Sequence, residues 1–401
     1  MLRRLALAVV AMLLTAIPAS AQTSVETQAP NAPKQQPVFA GQTRAPLPAS
    51  LTQPLVSVVA EGLPRLWGLE FLPGGAMLVT AKEGRMFIVS PEGKAGPDIA
   101  GVPAVDAGGQ GGLLDVALAP DFEQSRRIFF SFAEPREGGN GTSVASATLA
   151  LDADAPRLGD IRIVFRQTPT FAGRAHFGSR LVFAPDGSLY VTVGERSDTA
   201  VRGQAQDIAS GLGKVFRIDQ TGAALPDNPF IDVDGALPEI WSLGHRNLQS
   251  ATLDGTGRLW TVEHGPRGGD ELNRPQAGLN YGWPEVTYGI DYSGAPIGDG
   301  ITRTAATEQP VYYWDPVIAP SGMAFYDGTM FASWKNAFLV GGLVAQSVVV
   351  LHMGGDRVVA EERVDVGARV RDVKVAPDGS VFAVTENGGG SQILRLSASA
   401  Q

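Results

Sequence analysis

The sequence predicts an all-β fold, a six-bladed β-propeller of four-stranded antiparallel blades, and three observations lead there. One pattern returns six times: an alternating apolar strand, a tight turn of Pro, Asp and Gly, then a second alternating strand. Apolar spacing of the helical kind is almost absent. There is no cysteine, so stability has to come from a sizeable core, which 401 residues at 44% hydrophobic composition can supply.

Taken in order, residues 1–21 (MLRRLALAVVAMLLTAIPASA) place Arg3 and Arg4 before the apolar run Leu5 to Leu14 and end on Ala19-Ser20-Ala21. That order is expected of a secretory signal peptide cleaved before Gln22; Thr15 and Pro18 interrupt the run before it reaches the length of a membrane anchor. No later stretch is long and apolar enough to span a bilayer, so the mature chain is expected to be exported, periplasmic and without a membrane span. Residues 22–52 are rich in Pro, Gln, Ala and Thr without apolar periodicity and read as a flexible leader. The propeller domain is expected over 53–401, its first strand near Leu55.

The six copies are LEFLPGGAMLVTA from Leu69, VALAPDFEQSRRIFFSFA from Val116, LVFAPDGSLYVTVGE from Leu181, ATLDGTGRLWTVEHG from Ala251, MAFYDGTMFASWKNAFLVGG from Met323 and VKVAPDGSVFAVTEN from Val373. Asp-Gly turns suit hairpins because glycine accepts the positive φ, and Leu189, Val191 and Val193 alternate as a half-buried strand does. Units of roughly 50 to 70 residues fit blades in a radial array. Two packed β-sandwiches would not need six similar units. In a propeller the loops at one mouth of the central channel converge, so chemistry is expected where polar stretches sit at blade borders.

Without Arg3 and Arg4 the chain carries 30 basic and 41 acidic residues, about −11 net, which argues against a nucleic-acid partner. EF-hand spacing, a P-loop, a dinucleotide fingerprint and HExxH are all absent.

Three constellations stand at blade borders. In FAGRAHFGSR, His176 is either a general base, with an ordinary pKa of about 6.5, or a histidine capping the strand. In LGHRNLQ, Arg246 and Asn247 follow His245; arginine's planar fork suits carboxylates or quinone oxygens, and a blade-closing salt bridge is the alternative. In EHGPRGGDELN, the carboxylates Glu263, Asp270 and Glu271, with Asp254 upstream, surround Gly265, Pro266, Gly268 and Gly269, with Tyr281, Trp283 and Tyr288 behind. Hard oxygen ligands of this kind favour calcium, the alternative being a solvated acidic loop.

The ordered runs GGQGGLLDVALAPDF, AHFGSRLVFAPDGSLYVTVGE, LGKVFRID, GHRNLQ, EHGPRGGDELN, LNYGWP, APSGMAFY and RVRDVKVAPDGSVFAVT resemble the soluble quinoprotein glucose/sorbosone dehydrogenases, which include periplasmic aldose sugar dehydrogenases. The resemblance spans nearly the whole domain. It implies a six-bladed propeller with pyrroloquinoline quinone (PQQ) and calcium (Ca2+) at one mouth of the channel. It implies that His176 is the general base, that Arg246 and Asn247 lie against the quinone, and that Arg369 and Arg371 hold cofactor carboxylates. The carbonyls of Gly265 and Pro266 would ligate the cofactor's calcium, Glu271 and the Tyr281 carbonyl a second, structural calcium, and Gln110 would lie near the substrate. Three departures stand out: Val344 replaces a lysine present in some members, Glu195 follows Gly194 where the family has aspartate, and Ala175 replaces an acidic residue.

The activity so implied is oxidation of an aldose at its anomeric carbon to a lactone, with PQQ as hydride acceptor and an external electron acceptor to follow. Two rivals are a calcium-dependent lactone hydrolase, for which His176 and the paired arginines have no obvious task, and a non-catalytic propeller that binds proteins or glycans.

Overall fold

A computed structural model describes residues 23–151 and 155–398. The expected signal peptide, residues 1–21, lies outside the described residues. The described chain forms six four-stranded antiparallel sheets, the predicted six-bladed propeller. Helix is confined to the single turn Phe122–Ser125 and two short 3-10 turns among the described residues.

Each repeat seen in the sequence is the inner half of one blade. The innermost strands are Leu66–Phe71, Leu113–Leu118, Leu181–Phe183, Leu248–Leu253, Pro320–Tyr326 and Arg369–Val375, and neighbours in this ring pack against one another around the channel. The turn after the third shows why the pattern folds as it does. Leu181 pairs with Val191 and Phe183 with Leu189, and the connecting turn puts Gly187 at φ 83° while Asp186 Oδ1 accepts from the Ser188 amide at 2.9 Å. Those bonds satisfy backbone and side chain within the turn, so the strands can leave it in register.

Ring closure was not foreseen in the sequence. The first strand, Leu55–Leu63, is the outer strand of the last blade and pairs with Gly390–Ser397, so the two ends of the domain complete one sheet. Residues of the expected leader also have defined partners. The Ala45 amide donates to the Tyr312 hydroxyl at 2.8 Å, the Asn31 and Ala32 amides donate to the Asp315 carboxylate, and the Thr52 amide donates to Glu362 at 2.9 Å.

The core lies between blades. Phe129, Phe165 and Phe216 fill the seam of the second and third blades, and Trp260 and Phe338 that of the fourth and fifth, each fully buried ring contributing about 1.5–3 kcal/mol by leaving water. The channel itself is stopped by charge. The buried Arg180 guanidinium is paired with Asp115 at 2.8 Å and Asp372 at 3.2 Å and lies 4.6 Å from the Trp67 ring centre, joining inner strands of four blades.

Candidate functional site

Antiparallel pairing brings the start of each inner strand and the end of the next strand to the same face. That face carries the polar border stretches; the Asp-Gly turns lie on the other. At its centre is a recess of about 190 Å³ that opens to solvent at the channel mouth. Gln110, Asn247, Arg369 and Arg371, all singled out in the sequence, line it, joined by Lys82 and His264, which were not.

His176 stands at the edge of this recess, where Phe177 and Gly178 form part of its wall. It is buried and held in the left-handed region at φ 48°, a conformation unfavourable by about 1–3 kcal/mol for a non-glycine residue. Three contacts maintain it. Its amide donates to Gln110 Oε1 at 2.8 Å, its Nδ1 lies 2.7 Å from Glu195 Oε1, and the next glycine's amide donates to Asn247 Oδ1 at 3.2 Å. Gly194 allows the approach, because a Cβ there would collide with the His176 carbonyl.

Glu195 is the residue that sequence reasoning passed over: noted as a departure, it is the partner that orients the imidazole. Its other oxygen accepts from the Ser197 amide at 2.7 Å, so the carboxylate is fixed at both ends. A neutral imidazole donating Nδ1–H to Glu195 keeps a free lone pair on Nε2. Burial, and then the positive charge of Arg246, lower the His176 pKa below its ordinary value, against the opposing pull of Glu195. The ring is therefore neutral at pH 7 and able to accept a proton.

A second, narrower cleft adjoins the first, with His264 in the wall of both. It collects Arg246, Gly265, Glu271 and Tyr281 of the predicted set, together with Glu263 and Trp283. Pro266 follows Gly265 in the loop but is not among the cleft's lining residues. Arg246 Nη1 donates to the carbonyls of His264 at 3.0 Å and Gly265 at 2.7 Å, and its guanidinium carbon lies 5.1 Å from the Trp283 ring centre. Its buried Nε has no partner.

Glu263 and Glu271 are directly opposed across neighbouring strands, Glu263 buried and Glu271 half-buried. Glu263 is satisfied by His245 Nδ1 at 2.9 Å, by the Arg246 amide at 2.6 Å and by Asn273 Nδ2 at 2.9 Å. Glu271 accepts only from Asn273, at 3.0 Å; burial, then the charge of Glu263, raise its pKa to about 8. His245 is thus hydrogen-bonded to a carboxylate of the next stretch, while Arg246 reaches carbonyls. Asp270 braces the loop, accepting from the Gly265 and Ala319 amides at 2.8 Å each. Asp254 does not belong to the site: at the far end of strand Leu259–Glu263 it closes the hairpin turn, bonded to Thr256, Arg258 and Trp260. Its neighbourhood in sequence misled because a strand's two ends open on opposite faces.

Tyr281 is buried with its ring stacked 4.7 Å from that of His245, and its hydroxyl donates to the Arg274 carbonyl. Arg369 and Arg371 share one carboxylate, Glu386, at 3.7 and 2.6 Å from their Nε atoms. Val344 is 57% exposed, while its neighbour Leu343 lines the recess. Among the described residues no cluster of three or more His, Cys, Asp or Glu side chains is arranged to hold a metal, so a cation here would depend on carbonyl oxygens as well.

Comparison with known proteins follows the same outline. The profile of the family described as Glucose / Sorbosone dehydrogenase matches residues 63–395. Aldose sugar dehydrogenase YliI of Escherichia coli (strain K12) is 43% identical over 349 residues, 85% of this chain and 92% of that protein. The crystal structure of the soluble aldose sugar dehydrogenase from Escherichia coli in its apo-form superposes with a TM-score of 0.82 at 42% identity, covering 86% of this chain and 100% of the other. The PQQ-bound form of aldose sugar dehydrogenase from Streptomyces coelicolor gives a TM-score of 0.71 at 30% identity, covering 87% and 99%.

Proposed function

Because the chain belongs to the family of soluble PQQ-dependent glucose/sorbosone dehydrogenases, we propose that it oxidises an aldose sugar at the anomeric carbon to a lactone, with PQQ and calcium bound at the channel mouth. The observation that carries this reading is the meeting of two arginines in one recess, a histidine–carboxylate pair at its edge and a partly unsatisfied buried arginine in the cleft that adjoins it at His264.

The residues fit both groups. PQQ is a tricarboxylate, and Arg369 and Arg371 offer it two guanidinium groups that share one carboxylate, Glu386. The opposed carboxylates of Glu263 and Glu271 suit a divalent cation, which relieves the repulsion that helps to raise Glu271. The Gly265 carbonyl keeps a second lone pair beside its bond from Arg246, and Pro266 would add its carbonyl. Glu271 and the Tyr281 carbonyl are the proposed structural site.

When bound, PQQ supplies a hydride acceptor and calcium a Lewis acid beside it. The protein's share is proton transfer and charge. His176 Nε2 takes the proton of the anomeric hydroxyl, Glu195 keeps the tautomer that makes this possible, and Gln110, bonded to the His176 backbone, lies beside the sugar. Arg246, with Asn247 next to it, sets a fixed positive charge where negative charge develops, a preorganised stabilisation that water would have to reorganise to provide. Loss of that proton and of hydride from the anomeric carbon leaves a lactone; an external acceptor then removes the electrons. The order of charged, apolar and small residues in 1–21, that expected of a secretory signal peptide, supports action in the periplasm.

No observation favours the lactone-hydrolase or non-catalytic readings, for which the His176–Glu195 pair has no task. The test is reconstitution: purified apo-protein given PQQ with saturating calcium is expected to bind the quinone, reduce a dye with an aldose and yield a lactone detectable by NMR. Failure to bind PQQ at micromolar concentration overturns the proposal.

A further inference from the structure

Lys82 has no role in the reading above, yet its position is unusual. It follows the second strand of the first blade, Met77–Ala81, and so emerges on the same face as Arg369 at the start of the sixth blade's inner strand. The first and sixth blades are neighbours in the ring, and the Lys82 side chain lines the same recess as Arg369 and Arg371.

Its charge is poorly compensated. Nζ has one hydrogen bond, to the neutral Gly109 carbonyl at 2.8 Å, and no carboxylate in ion-pair contact among the described residues. The adjacent Glu83 is engaged elsewhere, at 2.6 Å from Arg65. Glu386 is the one carboxylate at the two arginines, closest to Arg371. Three cations therefore share one anion in a partly desolvated recess, on a chain whose formal net charge is −9. Like charges so placed repel one another, and an anionic ligand removes the repulsion.

The stem of Lys82 is also prepared. Its amide donates to the Arg65 carbonyl at 2.9 Å, its own carbonyl accepts from Leu113 at 3.3 Å, and Gly112 lies so close to that carbonyl that no side chain would fit. A fixed backbone limits the conformational entropy lost when the ammonium engages a ligand.

We propose that Lys82 is the third arm of an anion cradle and, with Arg369 and Arg371, binds a carboxylate group of PQQ. The inference rests on the functional reading above but concerns binding, which can be measured without turnover.

Apo-protein in saturating calcium is titrated with PQQ, followed by calorimetry and by quinone absorbance, for the wild type, Lys82→Gln, Lys82→Met and Lys82→Arg. Loss of one charge-assisted contact is expected to raise Kd roughly ten- to a hundredfold in Lys82→Gln and Lys82→Met. Lys82→Arg is expected to restore most of the affinity, and the salt dependence of Kd is expected to be shallower in the two neutral variants. Melting temperatures of the apo-variants separate weaker binding from a damaged fold, and Lys82→Met, which keeps the apolar stem, covers the case in which Lys82→Gln folds poorly. Wild type that binds PQQ while both neutral variants bind within about twofold of it overturns the role of Lys82 and leaves the functional reading intact. Wild type that does not bind PQQ overturns both.

Discussion

His176 is held by three elements at once, and that fixes what its replacement should do. His176→Ala is expected to lower kcat by about a hundredfold to ten-thousandfold, the usual span for general base catalysis, while PQQ still binds through Arg246, Arg369 and Arg371. Near-normal turnover would assign the base to another group. The sign of the pH dependence follows from burial and Arg246, which lower the His176 pKa. Only the neutral ring accepts a proton, so the rate falls as pH drops through a midpoint below the ordinary value of about 6.5. Glu195→Gln removes the group that pulls this pKa up and holds the tautomer. Turnover is expected to fall by at least about tenfold, with the acid limb moved to lower pH; an unmoved limb would remove Glu195 from the mechanism. The histidine was legible in the sequence, but its carboxylate was not, because Glu195 enters from the end of the adjacent strand and only pairing brings the two together.

Hairpins are the elements that the sequence displays most openly. Strand alternation and the Asp-Gly turn are properties of a dozen adjacent residues, so all six inner hairpins could be read without any long-range contact. The loop from Glu263 to Asn273 was half legible. Its acidity was visible, but the opposition of Glu263 and Glu271 depends on strand register, and Asp254 belongs to the turn at the other end. Calcium held by Glu271 and the Tyr281 carbonyl is expected to stabilise the fold without cofactor, by about 2.7 kcal/mol at a hundredfold excess over its Kd. Calorimetric melting of the apo-protein with calcium and with chelator checks this: equal melting temperatures would remove the structural site, and Glu271→Gln is expected to abolish the difference.

At the scale of the whole molecule, the ring is closed by Leu55–Leu63 at its rim and by Arg180 in its channel. Burial, offset in part by Arg180, holds the Asp115 pKa at about 6, and Asp372 lies across the same guanidinium. Arg180→Leu leaves both carboxylates buried without their cation and is expected to cost about 3–5 kcal/mol in denaturant unfolding; a loss under about 1 kcal/mol would mean that the channel admits water there. Export belongs to this scale too: N-terminal sequencing of protein from the periplasmic fraction is expected to begin at Gln22, and a retained Met1 would refute the cleavage site.

The sequence by itself determined the repeat, hence the blades, and the polar stretches at their borders, because both are written in short windows of chain. Tertiary structure decided which charges meet. Lys82 and Arg371, from opposite ends of the domain, share one recess; Glu195 reaches His176; Arg180 turns away from the histidine beside it to plug the channel. The physical reason is the ring itself: neighbouring blades place distant residues side by side, while pleating and strand direction send close neighbours to opposite faces or ends.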